Sequence, residues 1–232
     1  MIAGVLAGLG CAGLAGAAYF LPQVERYANA RALRHAAAKT RSLVLTYDDG
    51  PGSSSTPALL SLLDQHHAKA TFFLIGRKAE AYPALVDQLQ AQGHELGCHT
   101  YAHRHAWKVS PWTAIRDINH GYEALARWVS PDGLFRPPYG KISLATWLAL
   151  RRRHARTALW TADSGDTHDI LPPAGAVVDE VRKAGGGVVL LHDFDRTAER
   201  MDFALGVTGA LLDMAQREGL TVRTLGELWR TR

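Results

Sequence analysis

The chain has 232 residues, of which 47% are hydrophobic and 21% are charged, and its formal net charge is +4. This composition fits one globular domain and excludes a disordered chain, because disordered segments contain fewer apolar residues and more net charge. So small an excess of positive charge does not specify an anionic partner, and we expect that the protein does not bind a nucleic acid.

Residues 1–23 form an apolar leader, since no charged side chain precedes Glu25 and Arg26. Its length is close to the roughly 20 apolar residues that a transmembrane helix needs. A secretory signal peptide is the alternative, with the small residues at 15–17 as a cleavage site, although the basic start of such peptides is missing. We therefore expect a membrane anchor or signal segment at 1–23, and a bacterial-type envelope protein that is membrane-anchored or secreted. The side of the membrane stays open.

Residues 24–41 are rich in Ala and Arg and are predicted to form a helical or irregular connector. The apolar run at 43–45 then predicts a strand that ends at a loop carrying Asp48 and Asp49. The apolar spacing after Thr56, which can cap a helix, predicts a helix. A strand and a helix therefore follow each other directly after the connector.

The same alternation continues to the end of the chain. Further strands are predicted at 70–75, 134–135, 157–160, 188–191 and 221–224. Further helices are predicted at 83–92, 111–129, 143–150, 174–184 and 204–214. Strands that alternate with helices predict an α/β fold whose parallel sheet is closed or nearly closed into a barrel, with functional residues at the carboxyl ends of the strands.

Acidic and histidine side chains occur at these strand ends. Asp48 and Asp49 precede a Gly-Pro turn, although Asp-Asp-Gly by itself is a common turn sequence. His99 and His103 are four residues apart, a spacing that a helical turn would bring onto one face. Two histidines and one carboxylate leave a catalytic zinc with an open position for water. Paired histidines alone are also typical of a polar loop, so the prediction of a metal site depends on the other motifs.

The remaining strand ends carry other chemical groups. Arg136 precedes two prolines, whose fixed backbone angles can hold a rigid loop before Tyr139. Asp166 follows the strand at 157–160, and His192 ends the strand at 188–191. A metal, a general base, an amide donor and a general acid are together what the hydrolysis of an amide bond requires.

The order of these motifs resembles the polysaccharide deacetylases of carbohydrate esterase family 4, over about residues 42–228. The resemblance implies a distorted (β/α) barrel, preceded by an N-terminal apolar helix, with the catalytic domain at 42–232. It implies that Asp49, His99 and His103 bind a divalent metal, usually zinc. The same ligand set also suits cobalt, nickel, manganese or iron.

The resemblance also implies a role for each of the other motif residues. Asp48 is the general base that takes a proton from the attacking water, and His192 protonates the leaving sugar amine. The backbone amide of Tyr139 helps to hold the oxyanion. Arg136 holds Asp48 ionised and oriented, and Asp166 does the same for protonated His192.

One position departs from the pattern of the family. The family usually has a tryptophan directly after the position of Asp166, where it lines the pocket for the acetyl methyl group together with the leucine at Leu190. This chain has Thr167 instead. We therefore expect a wider or more polar acyl pocket, which leaves the preference for acetyl over other acyl groups open.

The implied function is N-deacetylation of peptidoglycan, a chitin-like polymer or an exopolysaccharide by a monomeric enzyme at or near a membrane. Two alternatives stay open: a deacylase or deformylase of a lipid-linked sugar, and a non-catalytic sugar-binding homologue. His105 and Trp107 follow the metal motif and could border a sugar groove, because aromatic faces suit pyranose rings. Cys98 could be a fourth ligand, although a small buried residue is the simpler interpretation.

Overall fold

The computed structural model describes residues 22–231, which contain helix α1 at 22–39, eight strands and eight further helices. The strands are β1 (Ser42–Gly50), β2 (Thr71–Leu74), β3 (Glu95–Cys98), β4 (Leu134–Phe135), β5 (Arg156–Thr157), β6 (Ala162–Asp163), β7 (Gly187–His192) and β8 (Thr221–Val222). The helices are α2 (Ser55–Gln65), α3 (Gly76–Ala81), α4 (Pro83–Ala91), α5 (Pro111–Ala124), α6 (Leu144–Arg152), α7 (Gly175–Ala184), α8 (Ala198–Glu218) and α9 (Leu225–Arg230). Strands and helices alternate over most of the chain, as the sequence pattern predicts, except that α4 follows α3 and β6 follows β5 directly.

Strand β1 is longer than the predicted run at 43–45, because it continues to Gly50. Asp48 stays in the ladder and is paired with Phe73 on one side and with His192 on the other. The prediction that Asp48 and Asp49 lie in a loop after the strand is therefore wrong. Parallel neighbours on both sides allow a strand to continue through polar residues that hydrophobicity alone would exclude.

Four short elements, α3, β3, β6 and α9, are absent from the sequence prediction. The two helices have six residues each and β6 has two, which is too short for hydrophobic periodicity to be visible. Strand β3 includes Glu95 and Gly97, neither of which favours a strand. Their positions follow from pairing with neighbouring elements rather than from local sequence.

The sheet is parallel throughout, in the order β5-β4-β3-β2-β1-β7-β6, with β8 beside the start of β1. In the described part of the chain no ladder joins β5 to β6, although these strands are consecutive, so the barrel is open between them. Helix α1 lies along this opening. Its Asn29 donates a hydrogen bond to the carbonyl of Thr157, and its Arg34 donates to the carbonyl of Thr161.

Side chains alternate between the two faces of β1. Leu45 and Tyr47 belong to the larger apolar cluster, which includes residues of α2, α4, α5, α7 and α8. Val44 faces the interior of the barrel, in a smaller cluster with residues of α1 and α9. Thr46 and Asp48 continue this inner row. The interior therefore changes from apolar to polar toward the carboxyl ends of the strands.

The connector predicted at 24–41 is a helix over most of its length. Among the described helices, none has the length and apolar character that crossing a membrane requires. The predicted anchor or signal segment at 1–23 lies outside the described residues, except for positions 22 and 23, which belong to α1.

Candidate active site

The predicted site residues lie at or just after the carboxyl ends of parallel strands. Asp48 and Asp49 lie near the end of β1, His99 follows β3, Arg136 follows β4, Asp166 follows β6 and His192 ends β7. His103 and Tyr139 lie in the loops after β3 and β4. Because parallel neighbours end at the same rim of the sheet, distant parts of the chain meet at one site.

Asp49, His99 and His103 each direct one ligand atom toward a common centre. Nε2 of His99 lies 3.5 Å, and Nε2 of His103 lies 3.3 Å, from Oδ1 of Asp49. That oxygen atom is buried and has no hydrogen-bond partner among the described residues. A tetrahedral ion with bonds of about 2.0–2.2 Å spaces its ligand atoms roughly 3.3–3.6 Å apart. The three residues therefore fit a divalent metal ion.

Both imidazoles of this set are neutral near pH 7. Burial lowers the pKa of His99 to about 3 and also lowers the pKa of His103. Nδ1 of His99 lies 2.7 Å from the carbonyl oxygen of Arg136, and donation to this carbonyl leaves the lone pair of Nε2 facing Asp49. A metal ion needs such unprotonated ligands, so the hydrogen bonding and the burial both suit binding.

The two histidines are not on a helix, and the prediction that a helical turn pairs them is wrong. They lie in the loop after β3, where Thr100 and His103 have φ angles of 66° and 56°. Asp49 has a φ of 70°. Each non-glycine residue in this left-handed region costs about 1–2 kcal/mol. Two of the three candidate metal ligands, Asp49 and His103, therefore have a strained backbone conformation. Neighbouring elements must stabilise it.

Asp117 of α5 supplies part of that stabilisation. Its carboxylate accepts hydrogen bonds from the backbone amides of Ala102, at 2.9 Å, and Arg104, at 3.1 Å. Gly121 lets α5 approach the loop, because a Cβ there would lie 2.6 Å from the carbonyl carbon of Thr100. The sequence interpretation missed Asp117. An acidic residue on the buried stripe of an amphipathic helix was the signal that could have found it.

Asp48 and Arg136 form a buried ion pair beside the metal ligands. Nη1 of Arg136 lies 2.8 Å from Oδ1 of Asp48, and Oδ2 of Asp48 lies 3.7 Å from Nε2 of His99. Burial raises the pKa of Asp48, while the charge and hydrogen bond of Arg136 oppose this rise. A carboxylate with a raised pKa is a stronger proton acceptor, which suits a general base.

Arg136 is itself fully buried and almost completely hydrogen-bonded. Its guanidinium donates to Oγ1 of Thr46 at 2.8 Å, to Asp48, and to the carbonyls of Ala158 at 3.3 Å and Leu159 at 3.0 Å. These four acceptors come from β1 and from the segment after β5. The side chain of Arg136 therefore joins Asp48 to the open edge of the barrel and also sets the charge environment of Asp48.

His192 is paired with Asp166 through two hydrogen bonds. Nδ1 of His192 lies 2.8 Å from Oδ1 of Asp166, and the His192 amide donates to Oδ2 at 2.8 Å. Burial lowers the pKa of His192, but the hydrogen bond and charge of Asp166 outweigh it, and the pKa is raised overall. An imidazolium whose Nδ1 is engaged in this way can offer the proton on Nε2 to a substrate.

The remaining predicted residues lie near this pair. Leu190 is 5% exposed on the inner face of β7, and Thr167 is half-buried. An open cleft beside Asp166 and His192 is lined by both apolar and charged side chains, several of them from α8, among them Arg200, Met201 and Leu205. Neither Leu190 nor Thr167 is among its lining residues.

Cys98 belongs to the larger apolar cluster, and burial raises the pKa of its thiol to about 12, so it is a core residue and not a ligand.

Two carboxylates after His192 hold the loop that follows β1. Asp193 accepts hydrogen bonds from the hydroxyls of Ser55 and Thr56, each at 2.6 Å, and burial raises its pKa to about 6. Partial burial raises the pKa of Asp195, but bonds from residues 53–55 lower it to about 2. The sequence interpretation missed both residues. The position of Asp193 directly after His192, a histidine at a strand end, is a signal that could have identified it.

Comparisons with known proteins identify relatives with this arrangement of elements. The sequence profile of the polysaccharide deacetylase family matches residues 35–158. A peptidoglycan-N-acetylglucosamine deacetylase of Bacillus cereus is 34% identical over 81% of this chain and 88% of its own length. A chitooligosaccharide deacetylase of a Bradyrhizobium species is 32% identical over 82% of this chain and 91% of its own. A solved peptidoglycan N-acetylglucosamine deacetylase superposes with a TM-score of 0.74 at 28% identity, covering 84% of this chain and 91% of that structure.

Proposed function

The chain belongs to the polysaccharide deacetylase family, and from this premise we propose that it removes N-acetyl groups from peptidoglycan sugars in a zinc-dependent reaction. The observation that carries the proposal is a group of three side chains that could hold a metal ion, beside a buried carboxylate that is paired with Arg136. Relatives named for peptidoglycan support the choice of glycan. The choice of zinc is supported by the ligand types, one carboxylate and two imidazoles, and by the 3.5 and 3.3 Å that separate the imidazole nitrogens from the carboxylate oxygen.

The first half of the reaction uses the base and the oxyanion donors. Asp49, His99 and His103 would hold a divalent cation, which would supply Lewis-acid polarisation of the acetamide carbonyl and of water. Asp48 accepts the proton that the attacking water loses while its oxygen bonds to the carbonyl carbon. Arg136 fixes one oxygen of Asp48, which leaves the other for this proton. We assign the backbone amide of Tyr139 as the protein donor to the developing oxyanion.

The second half of the reaction uses the acid. The C–N bond breaks as the sugar nitrogen takes a proton from His192, which yields acetate and a free amine. Asp48 and His192 are paired across neighbouring strands, which supports their action on one substrate group. The proton left on Asp48 then returns to solvent and His192 is reprotonated, which restores the enzyme for another cycle.

The test of this function uses residues 22–232, purified, stripped of metal and reloaded with zinc. We expect acetate and free amine in equal amounts from peptidoglycan, with no release by the stripped protein and recovery on adding zinc. If acetate were released from chitin oligomers but not from peptidoglycan, the proposed substrate would change from peptidoglycan to a chitin-like glycan. If the zinc-loaded protein released acetate from neither glycan nor from a lipid-linked N-acetyl sugar, the proposal would be wrong.

The pH profile should show the contribution of Asp166. Because the folded pKa of His192 is raised, the imidazole stays protonated to a higher pH than a free histidine does, and kcat falls as the pH rises through that pKa. Asp166→Asn removes the opposing charge, so we expect the alkaline limb of kcat to move to lower pH by about one unit or more. The limb should be missing in His192→Ala. If the alkaline limb of kcat stayed at the same pH in Asp166→Asn, Asp166 would not be the residue that keeps His192 protonated.

The acyl pocket can be tested at Thr167. We expect Thr167→Trp to narrow the acyl pocket, because it replaces a half-buried threonine directly after Asp166 with a much larger side chain. The variant should keep activity on N-acetyl sugars and lose about tenfold on N-butyryl sugars, because a filled pocket rejects extra methylene groups by about 1–3 kcal/mol. Equal acyl preferences in both proteins would show that residue 167 does not line the pocket.

We further propose that residues 1–23 keep the enzyme at the cell envelope, where peptidoglycan lies. The support is the uncharged, apolar composition of this segment. Expression with and without residues 1–21, followed by membrane fractionation, tests it. Equal recovery of both forms in the cytoplasmic fraction would contradict the proposal.

A further inference from the structure

The basic residues of the chain are concentrated in two segments, 22–41 and 141–156. Together these segments contain ten of the 26 Lys and Arg residues but one of the 22 Asp and Glu residues, Glu25. The rest of the chain has more acidic than basic residues, so the net charge of +4 comes from these two segments. A charge distribution of this kind directs one side of a protein toward an anionic surface.

The two segments contain α1 and α6, which contact each other. The indole nitrogen of Trp147 in α6 donates a hydrogen bond to the carboxylate of Glu25 in α1. The guanidinium of Arg151, one turn further along α6, lies 4.9 Å from the centroid of the Trp147 ring. The positive charge of the two segments is therefore gathered on neighbouring helices.

Both helices also expose apolar side chains. Val24 and Tyr27, one turn apart on α1, are 63% and 76% exposed, and Leu148 on α6 is 39% exposed. Arg31 follows Tyr27 by four residues and Arg152 follows Leu148 by four, so each arginine lies on the same side of its helix as the apolar residue, and both are exposed. We call these five residues the α1–α6 face. Apolar side chains accompanied by arginines are typical of helices that lie in the headgroup region of an anionic bilayer.

The chain that precedes α1 indicates what covers the α1–α6 face. Residues 1–21 have no charged side chain, and their number is close to the roughly 20 that cross a bilayer. A bilayer that holds this segment must lie next to the first turns of α1, which carry Val24 and Tyr27. This proximity and the complementary charge favour anionic phospholipid headgroups over a second copy of the chain, which would bring like charges together.

We infer that the α1–α6 face lies on the surface of an anionic phospholipid bilayer and that the active site opens next to this surface. The inference rests on the membrane segment of the proposed function and adds the orientation of the catalytic domain. The first turns of α1 border the rim that carries the site, because a Cβ on Gly140 would lie 3.7 Å from Nη2 of Arg26. The ring of the adjacent Tyr139 lies 4.7 Å from that of His103, centroid to centroid. A glycan held at the candidate metal site would therefore lie close to the bilayer.

The experiment measures how close single positions of the full chain lie to lipid headgroups. A fluorophore is attached to Tyr27→Cys, Leu148→Cys or Gln65→Cys in a Cys11→Ser background, since Cys98 is buried. The labelled chains are reconstituted into phosphatidylglycerol vesicles whose headgroups carry a nitroxide quencher. Gln65 is the control, because it is exposed at the end of α2 and so at the opposite rim of the barrel. We expect the labels at 27 and 148 to be quenched at least about threefold more strongly than the label at 65.

The role of charge is tested by combining Arg31→Gln with Arg152→Gln in the chain labelled at position 148. We expect the ratio of docked to undocked protein to fall by about 10–30-fold, because two attractions to the anionic surface are lost. Lys183→Gln combined with Arg217→Gln is the matched control, since it removes the same charge from exposed positions of α7 and α8. This pair should leave the ratio unchanged.

Three results would overturn the inference: equal quenching at 27, 148 and 65, an equal effect of both pairs of substitutions, or the same quenching in phosphatidylcholine vesicles. Excimers between pyrene labels at position 148 in phosphatidylcholine would also overturn it, because the α1–α6 face would then bind a second copy. A full chain that stayed in solution would contradict the proposed anchor, and adding phosphatidylglycerol vesicles to it would still test the face. None of these measurements needs turnover, so a chain without deacetylase activity would contradict the proposed function alone.

Discussion

Asp48→Asn should lower kcat by about 10²–10⁴-fold while the protein remains folded and binds zinc. The amide of asparagine has the shape of the carboxylate but cannot take the proton that water must lose. Its oxygen can still accept the hydrogen bond from Arg136 that Asp48 accepts at 2.8 Å. The metal ligands are unchanged, so the loss should appear in kcat and kcat/KM together.

Acetate release under saturating substrate measures this effect, with zinc content determined on the same samples. Asp163→Asn is the matched control, because Asp163 ends β6 at the same rim and, among residues 22–231, its side chain accepts only a local hydrogen bond from the amide of Gly165. We expect the control to retain nearly full activity. Retention of more than a tenth of the wild-type kcat by Asp48→Asn, with full zinc content, would remove Asp48 from the role of base.

Arg136→Met should lower the free energy of unfolding by about 3–5 kcal/mol. The substitution leaves Asp48 buried without its opposite charge and removes the donors to the carbonyls of Ala158 and Leu159. It also removes the contact between the guanidinium and the ring of Phe73, which lies 4.2 Å away. A lysine could not replace this planar group, since it has no fork of donors.

Urea unfolding followed by tryptophan fluorescence measures the effect. Arg127→Met is the control, because Arg127 pairs with Asp87 at 2.9 Å but is 67% exposed, and an exposed ion pair contributes about 0–1 kcal/mol. In the double variant with Asp48→Asn we expect a cost smaller than the two single costs added together. Equal costs for Arg136→Met and Arg127→Met would mean that the buried pair does not stabilise the fold.

The convergence of the site could be predicted because it depends on one rule of parallel sheets. Asp48, Arg136 and His192 are far apart in the chain, but each follows a predicted strand. Parallel strands end on the same rim, so their chemistry could be combined before any distance was known. The roles of the individual residues came from the resemblance to a family and not from this rule.

The supporting contacts could not be predicted, because they depend on distances across the fold. Asp117 contacts the loop that carries His99 and His103 because α5 packs against that loop. The local sequence pattern does not indicate which loop lies next to a given helix. The left-handed backbone at Asp49 and His103 is likewise set by tertiary contacts. Strand β1 extends through Asp48 because both neighbours pair with it, which hydrophobic patterning cannot show.

Helix α1 gives the open barrel a substitute for a missing strand. The side-chain amide of Asn29 donates to the carbonyl of Thr157 and accepts from the amide of Leu159, as a peptide group of an adjacent strand would. An uncovered strand edge offers such groups to other molecules and promotes aggregation. A shortened chain that begins at residue 42 would therefore expose the edge and precipitate, whereas one that begins at residue 22 keeps it shielded.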